Sequence, residues 1–229
     1  MKKIIAFLLI AVLAVSLLAS CDMIGGSGKS DIETVSACYA RSYPHKIVVE
    51  STQQVASQNL VSVTEIVRGM IGTDFVAKAI VNGEQLRSVE DGSGKKVYGH
   101  VETLKSETWF RVGKGTSEDK GETWDAEGVN FFPEKGAMAL DLNADLMADV
   151  KFENGTLSFK VLKANTEAFF GEGVAVDADV SVAITTAGGV VNRVTMDWVE
   201  EANLATGVDL MTVRIVADYI YDQQRVSMD

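Results

Sequence analysis

The stretch "VSVAITTAGGVVNRVTMDWV", residues 180–199, decides the fold. Val180, Val182 and Ile184 recur at every second residue. Gly188-Gly189 then interrupts the run, and Val190, Val194, Met196 and Trp198 resume it. A period of two is the signature of a half-buried strand, because successive side chains leave a strand on opposite faces. A Gly-Gly step between two such runs turns the chain back on itself. The unit is an antiparallel hairpin with one apolar face.

The same unit recurs in both directions. Downstream, Met211, Val213, Ile215 and Ala217 alternate into Tyr219 and Tyr221. Upstream, Asn154-Gly155 turns the chain into Leu157, Phe159 and Val161. Nearer the start, Ile47, Val49 and Val55 form one alternating set, and Val61, Val63 and Val67 another. Phe75, Ala77, Ala79 and Val81 run into Asn82-Gly83, which predicts a hairpin there. Gly92-Ser93-Gly94 predicts a further turn. "SETWFRV" (106–112) and "GETWDAEGVNFF" (121–132) predict two strands around a polar loop. Strands joined by short turns imply a mostly antiparallel meander, covered on one face.

Two segments depart from this period. Ser30 and Glu33 fit a capping box, and Ile32, Val35, Tyr39 and Tyr43 follow at helical spacing until Pro44. A short N-terminal helix is therefore expected over 30–43. Alternation from Met138 to Phe152 is long for one strand, so a second short helix near 143–149 is the competing expectation.

"GGSGKS", residues 25–30, ends like a phosphate-binding loop, but Met23 stands where that motif needs its first glycine. What precedes it is Lys2-Lys3, an apolar run from Ile4 to Leu18, and then Leu18-Ala19-Ser20-Cys21. A positive start, a short apolar run and small residues describe an export signal. Leu-Ala-Ser-Cys resembles the bacterial lipobox, whose cysteine receives a lipid. The expectation is a signal peptide over 1–20, a lipidated Cys21 with a flexible tether over 21–29, and one β-rich domain over 30–229. The protein would then be extracytoplasmic and anchored to a bacterial membrane, since buried acyl CH₂ groups contribute about 0.8 kcal/mol each.

Hydrophobic residues make up 47% of the chain, enough for a core. Formal net charge is −11, and loss of Lys2 and Lys3 with the signal takes it to −13. That balance argues against a nucleic-acid partner. With Cys21 lipidated, Cys38 has no partner, and burial as a small apolar group is expected.

No catalytic signature is present, and no cofactor is implied. His45 and His100 are the two histidines, and no zinc or serine-hydrolase motif surrounds them. Gly113-Lys114-Gly115 and Gly171-Glu172-Gly173 each lack the last glycine of a dinucleotide loop. Asp141, Asn143 and Asp145 match the start of a calcium loop. Leu146 then replaces its glycine and Phe152 its glutamate, and strand alternation produces the same spacing. No metal site is expected. Trp109, Trp124, Phe131, Phe159 and Trp198 are the candidate lining of an apolar ligand site, with core packing as the alternative for each.

Lipobox Cys21, the capped helix Ser30–Tyr43, the opening "PHKIVV" (44–49) and the closing "VRIVADYIYDQQRVSMD" (213–229) together resemble the LolA/LolB/LppX-like lipid carriers and their lipoprotein relatives. The resemblance implies an α+β fold: a strongly curved, mostly antiparallel half-barrel with a short N-terminal helix and one more helix. It also implies an acyl chain or other apolar ligand on the concave side. A structural lipoprotein that meets an envelope protein, with no ligand cavity, is the alternative.

Overall fold

The computed structural model describes residues 27–71, 74–90, 96–111, 114–120, 122, 123, 125, 140, 142–171, 176–203 and 208–221. Cys21, Asp141, the turn at 92–94 and most of 121–132 lie outside them. The chain opens with helix α1 (Ser27–Arg41). Strands β1 (Lys46–Val55), β2 (Gln58–Ile71), β3 (Asp74–Glu90), β4 (Lys96–Arg111) and β5 (Gly115–Ser117) follow. After a 3₁₀ turn at Ala144–Leu146 come β6 (Met147–Glu153), β7 (Thr156–Val161) and the short helix α2 (Thr166–Phe170). Strands β8 (Val180–Ala187), β9 (Val190–Asn203) and β10 (Val208–Ile220) close the domain. All ten strands join one antiparallel sheet in the order β5-β4-β3-β2-β1-β10-β9-β8-β7-β6. The expected fold class holds: an open, curved, mostly antiparallel sheet with an N-terminal helix and one short further helix, which lies at Thr166–Phe170 and not near 143–149.

Register shows which side chains share a face. Val182 pairs with Met196, Ile184 with Val194 and Leu157, and Phe159 with Val182. Ile215 pairs with Met196 and Ala217 with Val194. These residues are all buried in one continuous core. Helix α1 sits on them because Ile32, Val35, Cys38, Tyr39 and Ser42 recur three or four apart, which puts them on one face. It packs on β6 to β9. Phe169 and Phe170 of α2 add to the same side, with Phe169 5.6 Å from Phe159. Burying each large aliphatic or aromatic side chain contributes about 1.5–3 kcal/mol.

Several expectations are corrected. Helix α1 begins at Ser27, three residues before the predicted cap, so Ser30 lies inside it. Once a helix is nucleated, extending it by a turn costs little. It ends at Arg41, where Ser42 N–H bonds the Tyr39 carbonyl.

Asn82-Gly83 is not a hairpin. It lies mid-strand in β3, where Gly83 has φ +131°. A Cβ there would meet the Val61 carbonyl oxygen at 2.3 Å, so only glycine allows so close an approach. Chain reversal comes instead between Glu90 and Lys96. Residues 138–152 do not form one strand either. Asn143 caps the 3₁₀ turn by accepting from Asp145 N–H at 3.0 Å. Asp149 then takes φ +55° beside a register shift, which breaks the alternation.

Candidate functional site

The concave face divides into two sectors. Over β6–β10 it is apolar apart from Glu200, and its β6–β9 part carries α1. Over β1–β4 the pattern is different. Two residues, Ala56 and Ser57, join β1 to β2, and Val55 pairs with Gln58. That register places Ser62 opposite Ser51, Thr64 opposite Val49 and Ile66 opposite Ile47. Val49 and Ile47 are core residues, so Ser62, Thr64 and Arg68 face inward and are 2%, 3% and 3% exposed. Val61, Val63 and Val67, expected to form the apolar face of this strand, point outward, and Val61 is 37% exposed. A one-residue change of parity exchanges every side chain between faces, and the hairpin register fixes it here.

The polar row continues across the sheet. Thr64 pairs with Val81, which pairs with Ser106, and Ser62 pairs with Gly83, which pairs with Leu104. Glu102, Leu104, Ser106, Thr108 and Phe110 share one face of β4 by alternation, and Phe110 anchors that face in the core. Three atoms of this set are buried without a hydrogen-bond partner: Thr64 Oγ1, Ser106 Oγ and Glu102 Oε2. Each such atom costs about 1–3 kcal/mol in lost solvation.

One end of this sector is closed by an arm. The β2–β3 ladder stops at Ser62–Gly83, while β3 and β4 stay paired beyond it to Glu90 and Lys96. A two-stranded ribbon twists more strongly than a wide sheet. The twist turns Leu86 and Tyr98 into the core. Leu86 N–H, past the end of the β2 ladder, donates to Gln53 Oε1 at 2.6 Å. Tyr98 OH donates to Glu200 Oε1 at 2.6 Å, and Trp198 Nε1 donates to the same oxygen at 3.2 Å. Four strands separate β4 from β9 in the sheet order, so this bond measures how far the sheet curls. Burial, then the Glu200 carboxylate, holds the Tyr98 phenol far above its usual range.

The opposite end is sealed. Arg68 donates from Nε at 2.9 Å and Nη2 at 2.7 Å to the Pro44 carbonyl and stacks on Tyr43. Burial lowers its pKa. Tyr39 and Tyr219 stand nearby with phenols pushed up by burial.

The sequence candidates are not brought together. Trp198 and Phe159 lie on the concave face, Phe159 in the α2 aromatic cluster. Trp109 alternates to the convex face. There it pairs with Ser117 of β5, donates to Glu107 at 2.7 Å and carries Lys78 over its ring at 4.8 Å. Trp124 and Phe131 lie outside the described residues. His45 serves through its backbone, which bonds Ile220 and Arg68, and His100 is exposed on the arm. Cys38 is a buried free thiol in α1. Thr64, Ser106, Glu102, Tyr98 and Glu200 were not anticipated. The signal for the first was the split parity of β2: Leu60 and Ile66 share parity with Ser62 and Thr64 against the valines.

A second depression, of about 540 Å³, opens beside Trp198 between Asp177, Asp179 and Asp197. Its carboxylates already have partners. Lys163 Nζ bonds Asp177, Lys163 N–H bonds Asp179 at 2.8 Å, and Arg214 lies 3.5 Å from Asp197. Among the described residues no three His, Cys, Asp or Glu side chains gather for a metal, and no helix is long and apolar enough to cross a membrane.

No protein-family profile matches the chain, and comparison with curated proteins finds no match. Among solved structures it is similar to the S-type phycobiliprotein lyase CPES from Guillardia theta, at 9% identity and TM-score 0.31, over 88% of this chain and 100% of that one. It is also similar to a DUF1329 family protein from Desulfovibrio piger, at 8% identity and TM-score 0.30, over 88% of this chain and 96% of that one.

Proposed function

We propose that the protein is a lipid-anchored binding module of a bacterial envelope, which holds an acyl chain or another apolar ligand on the concave side of its sheet. The observation that supports this best is the division of that side. Helices α1 and α2 fill the sector over β6–β9, whereas Ser51, Ser62, Gly83 and Ser106 keep side chains small over β1–β4. Ligand pockets combine such apolar walls with a few placed polar groups. Phe159 belongs to the filled sector. Trp198, at the arm, is the aromatic candidate among the described residues that lies beside the site. Protein purified without detergent and extracted into organic solvent should release a co-purifying lipid. Clean extracts, together with no uptake of a fluorescent fatty acid, would refute ligand binding.

The anchor rests on Leu18-Ala19-Ser20-Cys21. Labelled palmitate should enter the wild-type chain and not Cys21→Ala, and an unlabelled wild-type chain would refute it. The alternative, an interaction lipoprotein that meets an envelope protein, draws on one observation. Val199 and Leu210 are 50% and 67% exposed on neighbouring strands of the convex face. Large exposed apolar side chains in one patch mark contact surfaces. In-cell crosslinking from that face should then give one specific adduct, and its absence would refute the alternative.

A further inference from the structure

We infer that the ligand of the β1–β4 sector is an amphiphile whose polar head donates hydrogen bonds, a hydroxyl- or amine-bearing head, and that Glu102 receives it. This rests on the ligand-binding reading above and adds the chemical class. Thr64 is 3% exposed, faces the concave side, and its hydroxyl has no partner. Ser106 stands in the same register row two strands away, about 10 Å across the sheet, with its hydroxyl also unpartnered. Glu102 is four residues along β4 from Ser106, about 13 Å on, with one carboxylate oxygen buried and unpartnered.

Hydroxyls can donate or accept, whereas an ionised carboxylate only accepts. A head that brings donors completes Glu102. A carboxylate or phosphate head leaves Glu102 unsatisfied and adds a like charge to it. A quaternary ammonium brings charge without a donor. Separation of the two hydroxyls from Glu102 sets the ligand's shape. The head sits at Glu102, at the base of the arm, and the body runs over Val49, Val81 and Leu104 past Thr64 and Ser106. The ligand is elongated, and a second polar group some way along its body meets one of the two hydroxyls, which stand too far apart for a single group to bridge. Buried polar groups left unmet in a protein are usually satisfied by something, and here the class of that something follows from which atoms are unmet.

The test uses four probes with the same dodecyl chain below their micelle concentrations: dodecylamine, dodecyl glucoside, dodecanoate and dodecyltrimethylammonium. Binding to the folded, delipidated protein is followed by calorimetry and by tryptophan fluorescence, with Trp198→Phe identifying the share of the change that Trp198 carries. The amine and the glucoside should bind at least about tenfold more tightly than dodecanoate and the trimethylammonium probe, which corresponds to ~1.4 kcal/mol. Glu102→Gln should remove the advantage of the amine and strengthen dodecanoate, since it removes the like charge. Thr64→Val should raise the urea midpoint of the ligand-free protein, since it removes an unpartnered hydroxyl, and should leave the glucoside unchanged, since that head sits at Glu102. Dodecanoate binding as tightly as the amine, or an amine preference that survives Glu102→Gln, overturns this inference and leaves the ligand-binding reading standing. Failure of all four probes overturns both.

Discussion

Removing the Tyr98 hydroxyl tests whether the arm is held by the bond that defines the curl. Tyr98 OH donates to Glu200 at 2.6 Å, and both residues are buried, at 7% and 8% exposed. A hydrogen bond to a charged acceptor contributes about 1.5–3 kcal/mol. Tyr98→Phe keeps the ring and its packing. It leaves Glu200 with the Trp198 donor at 3.2 Å. The expected loss is about 2 kcal/mol, or a fall of about 4–8 °C in Tm for a domain of this size. Glu200→Gln keeps the shape and removes the charge. In a urea-unfolding cycle at pH 7, the Tyr98→Phe/Glu200→Gln double variant should therefore cost less than the two single changes added together. Their coupling should be about 1 kcal/mol or more. Hydrogen exchange supplies a local readout. Leu86 N–H is bonded to Gln53, so a loosened arm should speed its exchange more than that of Ile184 in the core. Additivity within about 0.5 kcal/mol, or unchanged Leu86 exchange, would refute the latch.

Gly83→Ala should destabilise by about 3 kcal/mol or more, since backbone strain at φ +131° adds to the clash with the Val61 carbonyl. Gly188→Ala, with φ +61° and open space around it, should cost only about 1 kcal/mol. Equal midpoints for the two variants in urea would contradict the close approach. Asp119 accepts from Thr123 and Ser117, which hold its carboxyl down to about 2 from the ordinary 3.8. The charged form is favoured in the fold, so its contribution is complete above pH 3.8 and lost as pH falls through 2. The Thr123 amide resonance should shift with a midpoint near 2, and a midpoint near 3.8 would refute the turn. Exposed Arg193 and Asp218 form a two-point contact at 2.6 and 3.0 Å. Arg193→Ala should still cost only about 0.2–1 kcal/mol, read as a small drop in urea midpoint that salt reduces. A loss above about 2 kcal/mol would contradict solvent screening of the pair.

Where the sequence was legible, one physical signal acted alone. Strands β8, β9 and β10 bury one face against α1, so Val180 to Ile184, Val194 to Trp198 and Met211 to Tyr219 alternate without conflict, while the register shift between Thr185 and Thr186 buries Val191 in place of the expected Val190. Helix α1 was legible for the same reason, with one face down and Pro44 beyond its end. The reading failed where two signals competed. Asn82-Gly83 carries the strongest short hairpin signal, but β3 uses its glycine for close strand approach. Nothing local in the sequence distinguishes a turn from a kink that frees an arm. In β2, Leu60 and Ile66 argue for one inward face and Val61, Val63 and Val67 for the other. The tight β1–β2 turn chooses the face that carries Ser62, Thr64 and Arg68. That choice buries polar atoms and exposes a valine, the opposite of what burial energy alone favours. A sequence locally consistent everywhere else tends to depart from its own rules where something other than stability is served. The departure in β2, the small side chains of the same sector and the arm that closes over it fall on one side of the sheet. The proposed binding site is one cause that accounts for all three, whereas packing is served on either face, by Leu60 and Ile66 on one and by the valines on the other.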